Sequence, residues 1–103
     1  MNNERRKVIN NIITDLRNQE PDTTLDPEHF ISRITDVKDE EEAAFDGLLE
    51  HFQSGSRGEA MQQAIENLDY AIDSLTYIDE SDPDIDIPAQ VDEAINYLEE
   101  AVA

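Results

Sequence analysis

Two acids and two tyrosines in the second half of the chain recur with the spacing of one helix face. Glu66, Tyr70, Asp73 and Tyr77 follow one another at intervals of four, three and four residues, which on a helix gives a single stripe of alternating acid and aromatic side chains. Tyrosine beside charge is common at protein-binding surfaces, because the ring buries apolar area while the hydroxyl stays hydrated. We predict that this stripe contacts a partner. The alternative, left open, is that both tyrosines pack against the N-terminal helices.

An acidic loop follows the stripe, and its carboxylates are further candidates for contact with a partner. The candidate residues there are Asp79, Glu80, Asp82, Asp84 and Asp86. Glu93 falls at the twelfth position counted from Asp82, so the loop has the ligand spacing of an EF-hand calcium site. The sixth position, where that site needs a glycine in a left-handed turn, is Ile87. We therefore favour an acidic turn before a proline-started helix. The alternative is a degenerate EF-hand-like calcium module with ligands Asp82, Asp84, Asp86 and Glu93.

The residues that serve enzymes elsewhere do not form a catalytic pattern in this chain. The sequence has no cysteine, and its three glycines are scattered rather than gathered in a phosphate-binding loop. His29 and His51 have no partner at the spacing of a metal site such as H-E-x-x-H. We predict that the protein is not an enzyme and that it needs no cofactor.

Net charge is the strongest compositional signal, and it is unevenly distributed. The 103 residues carry a formal charge of −19. Up to Arg57 there are thirteen acids and seven bases, whereas from Gly58 onward there are thirteen acids and no lysine or arginine. Such a surface repels nucleic acid and anionic membranes and attracts basic proteins. No stretch approaches the ~20 apolar residues that span a bilayer, and the N-terminal residues lack the apolar segment of a signal peptide. We expect a cytoplasmic protein that binds neither nucleic acid nor membrane directly.

The apolar residues predict helices throughout one domain, residues 1–103. An amphipathic helix is expected from about Asn3 to Asn18, with Pro21 preventing its continuation. In the last third, apolar residues recur at alternating intervals of three and four, which is typical of a helix packed on another helix. These two apolar seams are Met61, Ile65, Leu68, Ile72 and Leu75, and Val91, Ile95, Leu98 and Val102. They predict an antiparallel C-terminal hairpin at the centre of an all-α bundle of four or five helices.

The middle of the chain leaves the number of helices open because of one carboxylate. Phe30, Ile34 and Val37 lie on one face, and an unbroken helix would place Glu41 on that face as well. Burying an unpaired carboxylate is costly. We therefore predict a break near residues 36–39, with Asp39 capping a new helix.

One short segment resembles a known family of inhibitors. Leu48-Leu49-Glu50-His51-Phe52, followed by an acidic segment with tyrosines and a terminal helix, is similar to the colicin nuclease immunity proteins. In place of that family's short turn with paired aromatics, this chain has the long stretch that contains Tyr70 and Tyr77. The resemblance implies a small acidic helical inhibitor of a basic nuclease.

These observations favour a non-enzymatic acidic protein that occupies the basic, nucleic-acid-binding surface of another protein. A DNA mimic of the kind used in counter-defence is the concrete form of this hypothesis, since about twenty-two helical residues span ~33 Å and B-DNA carries roughly twenty phosphates over that length. A colicin-immunity-like inhibitor is one alternative. Another is a small helical adaptor from an extreme halophile, whose acidity is an adaptation to salt. The sequence leaves open whether the protein forms a homodimer.

Overall fold

A computed structural model describes residues 1–18, 26–79 and 86–103, without the side chains of His51 and Asp79. Within these ranges every regular element is a helix, which confirms the all-α prediction. Four helices are long and one is a single turn. They are α1 (Asn3–Arg17), α2 (Pro27–Asp46), α3 (Glu50–Gln53), α4 (Ser56–Asp79) and α5 (Ile87–Val102).

Short polar side chains fix the starts of three long helices. The Asn2 side chain accepts the backbone N–H of Arg5 at 2.8 Å and begins α1. Asp26 and Asp86 do the same for α2 and α5, and a proline stands at the start of each of these two helices. A side-chain acceptor at this position satisfies a backbone donor that has no partner within the helix. The proline has no donor to satisfy there.

The four long helices form a bundle in which each packs against two neighbours. α4 packs against α5 and α2, and α1 packs against the same two helices. The predicted seams face this core, because Leu68, Leu75 and Leu98 are fully buried. Small residues beside the seams are buried as well and let the helices approach closely: Ala64, Ala71, Ala94 and Ala101. The N-terminal helices supply the rest of the core, chiefly Ile9, Ile12, Leu16, Phe30 and Ile34.

The predicted break in the second helix is wrong, and Glu41 shows why. α2 runs without interruption from Pro27 to Asp46, and Glu41 is 0% exposed on its core face. The carboxylate is paired rather than isolated. Arg5 donates from Nε to its Oε1 at 3.0 Å, and the α-amino nitrogen of Met1 lies 3.3 Å from Oε2. The second contact is an ion pair without hydrogen-bond geometry.

The single-turn helix α3 is held against the start of α4 at Gly58. A Cβ atom on Gly58 would lie 2.0 Å from the carbonyl oxygen of Gln53, which is backbone and cannot rotate away. A glycine is therefore required for this close approach. It anchors the segment 48–52 at the first turn of α4. The stripe of acids and tyrosines begins more than two turns further along that helix.

Candidate partner-binding groove

Ion pairs across the bundle leave one of its four edges without a cation. Arg33 pairs with Asp15 between α2 and α1, and Lys38 pairs with Asp69 between α2 and α4. Arg17 pairs with Glu99 between α1 and α5. The fourth edge joins α4 and α5, and from Gly58 onward neither helix contains a lysine or arginine. Beyond Arg57, at the start of α4, the acids of these two helices therefore have no opposite charge within their own helix.

Lys38 illustrates how firmly the cations are held at the other edges. Its Nζ lies 2.6 Å from Asp69 and 3.5 Å from Glu42. The hydrogen bond to Asp69 raises the pKa of Lys38 above its usual value of 10.5, and attraction to both carboxylates outweighs the opposing effect of burial. Lys38 therefore remains charged at neutral pH, and its charge is paired with Asp69.

The edge between α4 and α5 forms a groove with aromatic and acidic walls. The rings of Tyr70 on α4 and Tyr97 on α5 lie 5.2 Å apart between centroids and are tilted by 37°. They border a cavity of about 420 Å³, lined by Tyr70, Asp73, Ser74, Tyr77, Gln90, Glu93 and Tyr97. A second cavity of about 480 Å³ is lined by Asn67, Glu93, Asn96, Tyr97 and Glu100. The two share Glu93 and Tyr97, so they are adjacent parts of one feature, which we call the α4–α5 groove.

The predicted stripe lies on the surface, and most of it lines this groove. Tyr70 is 49% exposed and Tyr77 is 68% exposed, and both border a cavity lined by residues of α4 and α5, so the alternative that both tyrosines pack against the N-terminal helices is wrong. Asp73 is exposed between them and lines the same cavity. Glu66 is also exposed but precedes the lining residues. That the stripe binds a partner remains a prediction.

The acidic loop is largely outside the described residues. Glu80, Asp82 and Asp84 fall in that gap, as does the side chain of Asp79, so their predicted roles are untested. The carboxylate of Asp86 accepts the backbone N–H of Ala89 at 3.1 Å and thus begins α5. Glu93, the last ligand of the calcium alternative, lines the α4–α5 groove. The side chains that are described include no group of three or more that could hold a metal ion.

The groove residues that were not predicted as partner contacts include Gln90, Glu93 and Tyr97. The sequence does contain a signal for these residues, which is the number of positions between each of them and the loop that joins the two stretches. Tyr70 lies nine residues before the end of α4, and Tyr97 lies ten residues after the start of α5. Tyr77 lies two residues before the end of α4, and Gln90 lies three residues after the start of α5. Folding the two stretches back on each other about the loop therefore places Tyr97 opposite Tyr70.

The groove surface offers acceptors more than donors. Ser74 is buried and donates its hydroxyl to the carbonyl of Tyr70 at 3.1 Å, so this donor is already used within α4. The ionised carboxylates of Asp73 and Glu93 accept hydrogen bonds and donate none. Tyrosine rings present a negative face that attracts cations. This combination suits a positively charged ligand.

The segment that resembles the immunity proteins lies elsewhere. Leu49, at 63% exposed, immediately precedes α3, and Phe52 is half exposed within it. α3 packs on the first turn of α4, and fifteen residues separate Gly58 from Asp73, or about 22 Å along a helix. These apolar side chains are therefore not part of the α4–α5 groove.

Comparisons with known proteins supply no family for this chain. None of the described helices has the length and apolar character needed to cross a membrane. No protein-family model, curated protein or solved structure matches the sequence. The chemistry of the groove is thus the basis for inferring function.

Proposed function

We propose that this protein is a non-enzymatic acidic binding protein that occupies a basic surface on a partner that handles nucleic acid. The observation that carries the proposal is the bundle edge between α4 and α5, where acids and tyrosines line a groove and neither helix has a lysine or arginine from Gly58 onward. An unneutralised acidic surface attracts a basic partner over a distance and speeds its association. Exposed tyrosines then supply buried area once the partner is in contact.

The proposal includes an antiparallel hairpin of α4 and α5 as the element that presents the groove. Three pairs support this arrangement, each with members nearly equally distant from the loop. Tyr70 contacts Tyr97, Tyr77 and Gln90 line one cavity, and Asn67 and Glu100 line the other. In such a hairpin the two helices contribute to the groove along its whole length.

The dimensions of α4 are compatible with mimicry of DNA. Its 24 residues give a length of ~36 Å, over which B-DNA carries about twenty phosphates. The thirteen acids that follow Arg57 are fewer, so the mimic would present a sparser charge than DNA. A basic nuclease, the target implied by the immunity-protein resemblance, is one member of the same class of partner.

Affinity capture with matched variants tests the proposal. The bait is wild type, Asp73→Lys/Glu93→Lys on the groove, or Asp36→Lys/Glu40→Lys on the exposed face of α2. Both variants change the net charge equally. We expect basic proteins from the cognate lysate, identified by mass spectrometry, to bind wild type and the α2 variant but not the groove variant. Retention should weaken as salt rises, and duplex DNA should displace the bound protein.

Two results would contradict the proposal. Equal loss of capture by both variants would show that total charge alone governs binding, as expected if the acidity is an adaptation to salt. Capture of proteins that duplex DNA does not displace would remove the nucleic-acid-binding surface as the target. A urea melt of each variant establishes that the baits are folded.

A further inference from the structure

We propose that the α4–α5 groove takes an arginine side chain of the partner into the cavity between Tyr70 and Tyr77. This inference rests on the proposed function and deepens it, because it names the group that the groove recognises. The cavity is open to solvent and has a volume of about 420 Å³, at the small end of the roughly 300–1,000 Å³ range of ligand sites. It is suited to one side chain rather than to a whole helix.

The cavity has aromatic ends and acidic sides. Tyr70 and Tyr97 contact each other and form one end, and Tyr77, two helical turns from Tyr70, forms the other. Asp73 lies one turn from both tyrosines of α4. Glu93 lies one turn from both Gln90 and Tyr97 on α5. Each helix therefore contributes one carboxylate to the middle of the cavity.

Within the part of the chain that the structure describes, the two carboxylates have no counter-ion. Asp73 and Glu93 form no ion pair among the described residues, whereas Arg17, Arg33 and Lys38 are paired at other edges. Both carboxylates line the same cavity, so a cation placed between them is attracted to both. The positive charge that would neutralise these carboxylates must therefore come from a partner.

The tyrosines favour arginine over lysine as that cation. A guanidinium is planar, stacks on aromatic faces and is more weakly hydrated than an ammonium, so it loses less on entering a groove lined by rings. It also has five donors in a fixed fork, enough to reach carboxylates on two sides. Gln90 adds a side-chain carbonyl acceptor to the same cavity.

The chain itself provides a reporter for this site. It contains three tyrosines and no tryptophan, and all three tyrosines line the cavity. A change in tyrosine emission on adding a ligand therefore originates in the groove. Nona-arginine and nona-lysine are suitable probes, since they carry equal charge and differ in the cationic group.

The test is a fluorescence titration with both peptides at physiological salt, on wild type, Tyr77→Leu and Tyr77→Phe. For wild type we expect nona-arginine to bind at least tenfold more tightly than nona-lysine. Tyr77→Leu has lost the ring and should abolish this preference, whereas Tyr77→Phe should retain it. Because Tyr77 is largely exposed, both variants should keep the wild-type melt.

The outcomes separate this inference from the proposed function. Equal binding of the two peptides, or a preference that survives in Tyr77→Leu, would overturn the arginine site and leave the acidic docking surface standing. If neither peptide binds, both the arginine site and the proposed acidic docking surface would be overturned. Tighter binding of nona-lysine would assign the cavity to an ammonium and refute the inference.

Discussion

Replacing Glu41 by leucine should destabilise the fold strongly although leucine suits a buried helix face. Glu41 is 0% exposed, and its loss leaves the Arg5 guanidinium, 15% exposed, without a carboxylate. Removing one partner of a buried pair costs roughly 3–5 kcal/mol, because the other charge remains desolvated. Since Arg5 retains some contact with water, we expect about 3 kcal/mol, the lower end of that range.

This loss would be a large part of a total stability of about 5–15 kcal/mol. The measurement is a urea melt of wild type, Glu41→Leu and the matched control Glu40→Leu, whose side chain is exposed on the same helix. The double variant Arg5→Met/Glu41→Leu should recover part of the loss, because no guanidinium is then left unpaired, whereas the α-amino group of Met1 still lacks its carboxylate. A stable Glu41→Leu protein would refute the buried pair. Such a result would favour the prediction of a break near residues 36–39, which leaves Glu41 exposed.

Three other predictions concern stability. Leu68→Ala and Leu98→Ala each remove a fully buried side chain and should each cost roughly 2–5 kcal/mol in a urea melt; losses under ~0.5 kcal/mol would show that the seams are not the core. The protein should be folded near 0.15 M salt, where the Debye length is already ~8 Å; a thermal melt showing structure only in molar KCl would instead support salt adaptation. Because Asp69 raises the pKa of Lys38, their pair stabilises the fold below pH 10.5 and is lost as pH rises through the raised pKa. Alkaline titration should therefore destabilise wild type more than Lys38→Met, and identical profiles would contradict this.

Periodicity was sufficient to predict α1, α4 and α5 and the apolar faces that they bury. The two seams that contain Leu68 and Leu98 have apolar residues at alternating intervals of three and four, which is typical of a helix packed on a helix. The acids at 26 and 86 are local signals for helix starts. Such patterns depend on neighbours in the chain. They required no knowledge of the tertiary arrangement.

The errors came from contacts between residues distant in sequence. Glu41 was expected outside the core because its cation, Arg5, is thirty-six positions away and no local pattern links them. Tyr97 was overlooked because it stands alone in its stretch, and it becomes part of the groove only when α5 lies against Tyr70 on α4. The similar distances of Tyr70 and Tyr97 from the loop indicate that the two rings lie opposite each other. Helix periodicity within one stretch does not.

The central claim is that a basic partner binds in the α4–α5 groove, and backbone amide chemical shifts can map that contact directly. Wild-type protein labelled with ¹⁵N would be titrated with nona-arginine, and Asp73→Lys would serve as the comparison. We predict that the largest shift changes fall in 67–77 and 90–100, the segments that line the groove, and that they shrink in Asp73→Lys. Changes centred on α1, α2 or the segment 48–52, unaffected by Asp73→Lys, would contradict the claim.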